Sequence, residues 1–273
     1  MRRLAGAELQ ALSARLRGLV LRQAKDTRAH IGSALSVIEI LACLYFHHLD
    51  MGPAVWERRD RDRLILSKGH GALALYAVLC EAGFLPIEML ERYGAPDCPL
   101  GGHPSSKTPG VELGTGALGH GLAVGAGMAI AARIDGSSAR VAVVMGDGEL
   151  DEGSVWEAAM FCSHQRLGNL VAVVDRNRLQ QEGPTETVLA LEPLADKWRA
   201  FGWNVVTVNG HDIDQLTESL DAIDPTAGRP TILIGETVKG RGVSFMEGEP
   251  AWHMALLESP KFDRALAEVE GRA

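Results

Sequence analysis

The chain has 273 residues, of which 46% are hydrophobic and 23% charged, with 31 glycines and a formal net charge of −8. A chain of this length buries about three quarters of its unfolded surface, and the composition excludes a fibrous or broadly disordered protein. The acidic balance is spread out with no basic stripe, which argues against a nucleic-acid partner.

The predicted elements begin with an amphipathic helix over 7–25, whose apolar positions are interrupted by Glu8, Gln10, Ser13 and Arg15, so it is no signal peptide. A helix follows over 34–48; the most apolar segment, 37–46, contains Glu39 and is far too short to span a bilayer. Next come a strand at 63–66 and helices at 71–83, 86–93 and 119–133. The Pro/Gly-rich stretch 95–116 between them reads as a long ordered loop, a kind usually tied to function. Strand 141–145, helix 153–167 and strand 169–175 form a βαβ unit. Helices at 192–200, 213–223 and 260–270 and strands at 203–208 and 231–236 complete the pattern. Apolar strands alternating with helices predict an α/β fold, a mostly parallel sheet covered by helices on both faces, in a single domain over 1–273. Cys43, Cys80, Cys98 and Cys162 form no close pair and no metal-type spacing, which suits reduced thiols in a cytoplasmic protein.

The sharpest local signal sits in the βαβ unit. The strand Val141-Ala-Val-Val-Met145 runs into Gly146-Asp147-Gly148, and Asn177 follows the second strand. Loops at the carboxyl ends of neighbouring parallel strands converge on one crevice, so this spacing can bring Asp147 and Asn177 together. A carboxylate, an amide oxygen and a loop carbonyl are the hard oxygens magnesium prefers, with water and phosphate filling the remaining positions. Glycines beside Asp147 let the backbone approach a diphosphate, to which Gly148 can offer its N–H. A tight turn is the plainer reading of Gly-Asp-Gly alone; the buried strand before it and Asn177 after it favour the metal.

Four histidines lie beside small residues in predicted loops: His30, His70, His103 and His253. Each alone is ordinary. Together they suit a pocket that moves protons on hydroxyls and carbonyls near neutrality. His47, His48 and His164 fall inside predicted helices, and His211 is expected to serve a turn.

The runs Asp62-Arg-Leu-Ile-Leu-Ser-Lys-Gly-His70, Gly102-His-Pro104, Gly114-Thr-Gly-Ala-Leu-Gly-His-Gly121, Gly146-Asp-Gly-Glu-Leu-Asp-Glu-Gly153, Asp175-Arg-Asn177 and Thr237-Val-Lys-Gly-Arg-Gly-Val-Ser-Phe245 occur in one order over nearly the whole chain. This pattern resembles the thiamine-diphosphate-binding half of transketolase, and most of all the N-terminal subunit of split transketolases. The resemblance implies magnesium held by Asp147, Asn177 and the Leu179 carbonyl. It places Ser33, His70, Gly148, Lys239 and His253 around the diphosphate and thiazolium, and Gly116 and Leu118 against the cofactor rings. His30 and His103, with His70 and His253, match the histidines that bind ketose hydroxyls and move protons. Glu152 matches an acidic residue of a network joining two active sites.

Transfer of a two-carbon ketol unit from a ketose phosphate to an aldehyde is the activity so implied. The family also needs a pyrimidine-binding domain whose glutamate activates the cofactor, and no further strands follow here to build it. The expectation is therefore a subunit inactive alone, paired with a C-terminal partner chain in a heterotetramer. Several positions depart from the family: Ala29 and Ile31 around His30, His120, Arg176, Gln181-Glu182, and Met254 onward after His253. They bear on the sugar pocket more than on the metal. Two other readings stand beside the first: another thiamine-diphosphate reaction such as 2-oxo acid decarboxylation, against which the histidine quartet argues, and a non-catalytic regulatory subunit, against which the intact site residues argue.

Overall fold

Four strands with both faces buried make the centre of a computed structural model that describes residues 3–271. The two outermost residues at each end of the expected domain lie outside the described residues. In chain order the elements are α1 (Ala7–Ala24), β1 (Arg28–Ala29), α2 (Ile31–Leu35), α3 (Ile38–Cys43), a π-helical turn (Leu44–His48), β2 (Arg63–Leu66), α4 (Ala72–Glu81), α5 (Ile87–Glu91) and α6 (Gly121–Ile134). Then come β3 (Val141–Gly146), α7 (Gly153–His164), β4 (Leu170–Arg176), α8 (Thr185–Val188), α9 (Leu194–Ala200), β5 (Asn204–Asn209), α10 (Ile213–Asp221), β6 (Thr231–Glu236), β7 (Ala255–Leu256) and α11 (Lys261–Val269).

The main sheet is parallel throughout, in the order β2-β3-β4-β6-β5. Its strands are apolar at successive positions because helices cover both faces. Leu64, Leu66, Ala142, Val144, Val171, Val173 and Leu233 pack on the layer containing α1, α3 and α4. Their neighbours Ile65, Val143, Met145, Ala172, Val174 and Ile232 pack on the layer containing α6, α7 and α9. The period of two along a strand sends alternate residues to opposite cores. Helix α6 comes very close to the sheet at Gly125, where an added Cβ would stand 2.5 Å from a Val143 methyl.

The register aligns Gly146 with Asp175 and Arg176 with Glu236. The carboxyl ends of β3, β4 and β6 therefore open at one level, where ligands bind in sheets of this kind. A second ribbon, β1 with β7 antiparallel, pairs Ala29 with Ala255 and so brings the residues just beyond, His30 and His253, to the same side.

The predicted helix 34–48 is corrected to two short helices and a π-helical turn. The break falls at Ser36, whose hydroxyl donates to the Ser33 carbonyl at 3.1 Å and to the Asp175 carboxylate at 2.6 Å. Helices expected at 86–93, 192–200 and 260–270 are shorter, and α8, β1 and β7 were not expected. All four cysteines are free, as anticipated. None of the helices among the described residues is long and apolar enough to cross a membrane.

Candidate functional site

The apolar run of β3 ends at Gly146, where the chain turns through one 3-10 segment, Gly148–Asp151, before α7. Asp147 opens that turn, accepting the Gly148 N–H at 2.8 Å. Its other oxygen accepts the Arg178 N–H at 2.5 Å and an Arg176 guanidinium N–H at 3.2 Å. Arg178 follows β4 with φ of 66°, a left-handed residue that swings the chain back across the sheet end. Asn177 sits in that swing: its amide oxygen accepts the Leu179 N–H at 3.1 Å and its NH2 donates to Asp175 at 3.2 Å.

Beneath these loops lies a buried ion pair. Lys68 and Asp175 have fully buried side chains, and the ammonium donates to the carboxylate. Asp175 also accepts from the Ser36 and Thr237 hydroxyls, so each of its oxygens has partners. Burial acts to raise the Asp175 carboxyl, but Lys68 and the two hydroxyls outweigh it and hold it below the ordinary value. Asp147 has no such surplus: burial, then the neighbouring Asp175 charge, pushes it up to about 6.

The four imidazoles meet above this floor. Ring centroids are 5.9 Å apart for His30 and His70, 5.4 Å for His30 and His103, 5.4 Å for His30 and His253, and 5.3 Å for His70 and His253. His103 is carried by the long loop, which the Tyr76 hydroxyl ties down at the carbonyls of Gly101 (3.0 Å) and His103 (3.1 Å). Gly116 lies against the His103 ring with φ of 147°; an added Cβ would come within 3.3 Å of that ring. Desolvation, then the charges of His103 and Lys239, lowers His30 to about 4. Desolvation, then Lys239, lowers His253 to about 3, and desolvation lowers His70 strongly as well. These rings are neutral at pH 7 and can both donate and accept a proton.

That lowering has a consequence for stability. A histidine held below its ordinary value of 6.5 binds fewer protons folded than unfolded, so its stabilising share is complete above pH 6.5 and is lost toward pH 4. Asp147 acts in the opposite sense below about 6, as one group against several. The urea midpoint of the ligand-free protein is expected to fall between about pH 7.5 and pH 5; a midpoint that held or rose would contradict the buried neutral rings.

The whole arrangement encloses a cavity of about 330 Å³, within the range of small-molecule clefts. His30, Ser33, His70, His103, Gly116, Leu118, Asp147, Gly148, Asn177, Leu179 and His253, all singled out in the sequence, line it together. Lys239 stands just behind the lining, its Nζ donating to the carbonyls of Leu179 (2.9 Å) and Gln180 (3.2 Å) and 3.0 Å from His253 Nδ1. Glu152 is exposed at the start of α7 and outside the cavity. Sequence reasoning missed the roles of Lys68, Asp175 and Glu149. All three lie inside the motif runs, but nothing local shows that a lysine will bury itself on an aspartate 107 positions away. Glu149 accepts the N–H of Gly119 at 2.9 Å and of Gly146 at 3.1 Å, and the Ser67 hydroxyl, so it fastens the metal-type turn to the sheet.

The lining fits an anion accompanied by a hard divalent cation. Among the described residues the Ser33 hydroxyl is buried without a hydrogen-bond partner, and the ammonium of Lys239, a residue 1% exposed, bonds to carbonyls and an imidazole nitrogen and to no anion. The carboxylate, amide and carbonyl oxygens of Asp147, Asn177 and Leu179 suit magnesium and include no thiolate or imidazole. Burial and Lys68 lower Lys239 to about 8, which an anion beside it would reverse.

Comparison with known proteins agrees with an anionic coenzyme. Residues 10–268 match the model of the transketolase thiamine diphosphate binding domain. The chain belongs to the transketolase family. It is 44% identical over 248 residues to an apulose-4-phosphate transketolase subunit of Phocaeicola vulgatus, covering 91% of this chain and 88% of that one. It is 42% identical to the 6-deoxy-6-sulfo-D-fructose transketolase subunit of a Clostridium species, covering 88% of each. The crystal structure of transketolase from Campylobacter jejuni superposes with a TM-score of 0.90 at 29% identity. That alignment covers 98% of this chain but 43% of the solved transketolase, so the present chain spans less than half the length of that relative. The α/β architecture of this transketolase-family chain is thus that of the family's thiamine diphosphate-binding domain.

Proposed function

We propose that this chain is the single-domain coenzyme-binding subunit of a two-chain transketolase, transferring a two-carbon ketol unit from a ketose to an aldehyde. The observation that carries the reading is the quartet of imidazoles, each with its ring centroid 5.9 Å or less from another, lining one cavity with Asp147, Asn177 and Ser33. When bound, thiamine diphosphate would supply an electron sink for the electron pair left on the two-carbon unit when a carbon–carbon bond is cut. Asp147, Asn177 and the Leu179 carbonyl would hold magnesium on the diphosphate, while Ser33, Gly148 and Lys239 would contact the diphosphate oxygens. Gly116 and Leu118 would bear on the rings.

The protein's own work is then proton management and positioning. His30 and His103 would hydrogen-bond the donor hydroxyls and take the hydroxyl proton as the carbon–carbon bond opens and that oxygen becomes a carbonyl; His70 and His253 would supply a proton to the acceptor aldehyde oxygen as it becomes a hydroxyl in the new bond. The neutral state of His30, His70 and His253 lets those rings act in both directions. Closure of this half-open cavity by the partner chain would keep water from the reactive carbon. Glu149 is committed to backbone amides, so the acid that activates the coenzyme pyrimidine is assigned to a partner chain. Both relatives are named as subunits of a transketolase, which supports that partner, and their phosphorylated and sulfonated sugars support a ketose with an anionic end. Two copies of each chain would form a heterotetramer in the reducing cytoplasm, with Glu152 in the contact between active sites.

Coexpression with the adjacent reading frame tests this reading. The copurified pair is expected to transfer ketol units with magnesium and thiamine diphosphate, and this chain alone is expected to be silent. His103→Ala in the pair should lower kcat by roughly 10²–10⁴. Turnover by the lone chain, or release of carbon dioxide from a 2-oxo acid without ketol transfer, would overturn it.

A further inference from the structure

His211 does more than close the turn between β5 and α10 that the sequence suggested. Its side chain is 9% exposed, and Nε2 accepts the backbone N–H of Val238 at 2.8 Å. A backbone amide only donates, so Nε2 holds a lone pair and the ring proton sits on Nδ1, 3.0 Å from a Glu39 oxygen. Glu39 is in turn bonded by the Arg17 guanidinium. Burial acts to raise Glu39, yet His211 and Arg17 outweigh it and keep the carboxyl below its ordinary value.

The path therefore runs from α1 through α3 and the β5–α10 turn to the segment leaving β6. That segment has left the sheet ladder, so its amides need other partners. Val238 N–H goes to His211, Gly240 N–H goes to the Gly32 carbonyl at 2.9 Å, and Lys239 lies between the two anchors. Gly32 precedes Ser33, the unpartnered hydroxyl of the cavity. His211 itself does not line the cavity.

We propose that Glu39 and His211 form a positioning pair that locks the Val238 amide and thereby aims the Lys239 ammonium at the coenzyme diphosphate. The proposal rests on the coenzyme reading above. Glu39 sets the tautomer by accepting from Nδ1, and that tautomer leaves Nε2 free to receive Val238. An outward swing of residues 237–240 would take Lys239 away from the carbonyls of Leu179 and Gln180.

Two amides divide the functions of the ring. In His211→Gln the side-chain oxygen reaches the Nε2 position and can accept from Val238; in His211→Asn the amide reaches only the Nδ1 position. Amide hydrogen exchange on the full chain without ligand should show Val238 protected in the native protein and in His211→Gln but at least about fivefold faster in His211→Asn. In the copurified pair, the Kd for thiamine diphosphate with magnesium should rise at least about fivefold for His211→Asn and stay near native for His211→Gln. Thermal unfolding of the same samples separates weakened binding from a weakened fold. Equal behaviour of the two variants would overturn the proposal. If His211→Asn does not fold, exchange in His211→Gln decides: native-like protection of Val238 supports it and fast exchange refutes it. Lys239→Met controls the premise. Native binding in that variant would defeat the role of Lys239, whereas weak binding there with native binding in His211→Asn would defeat the positioning pair alone.

Discussion

Asp147→Ala is expected to abolish magnesium-dependent binding of thiamine diphosphate, raising the Kd by about 100-fold or more. Even residues that merely support a metal ligand cost 10–100-fold when lost, and Asp147 is the one carboxylate in the proposed donor set. The substitution leaves the fold standing, because Arg176 keeps Thr185 at 2.7 Å, Glu186 at 2.9 Å and Glu192 at 3.0 Å. Arg178 N–H loses its acceptor, a local cost of about 1–3 kcal/mol. Titration calorimetry of the copurified pair with and without magnesium reads the effect directly. Binding that remains tight and magnesium-dependent in the variant would remove the metal assignment.

Asp175→Ala should cost about 3–5 kcal/mol of folding free energy, the range for breaking a fully buried ion pair from one side. It strands the Lys68 ammonium and takes an acceptor from Ser36, Asn177 and Thr237 together. Because these groups come from four separate segments, the loss should also loosen the floor of the cavity. Chemical unfolding of the full chain measures it, with Asp175→Asn as the milder companion that keeps the shape and one of the two acceptor oxygens but not the charge. A change below about 1 kcal/mol would mean that Lys68 finds another partner or loses its proton at little cost.

The parallel sheet was legible because burial on both faces leaves a mark in the residues themselves. Val141–Gly146 and the first five residues of β4 are apolar at every buried position, and few other structures tolerate that. The turn after β3 was legible for a related reason: glycine, aspartate and glycine after such a strand combine backbone freedom with a side-chain oxygen that caps the turn. The breaks in the second expected helix were not, since the hydroxyl of Ser36 leaves the helical pattern to reach Asp175, 139 residues away. Nor were β1 and β7, two residues each, which have no periodicity of their own and exist only because they pair.

Local chemistry named Asp147, Gly148, Asn177 and the four histidines of the cavity, because each lies in a short motif whose composition suits an anionic ligand or a moving proton; the resemblance to transketolase added Ser33, Gly116, Leu118 and Leu179. Distance along the chain hid what holds them. The Lys68–Asp175 pair, the tie from Glu149 to Gly119 and the path from Arg17 to Val238 join segments far apart in sequence, and only packing determines which charge is left in a dry interior to seek which partner. A lysine in a Gly-rich turn reads as a surface group until the fold removes its water; thereafter the fixed dipoles around it decide its direction and its charge.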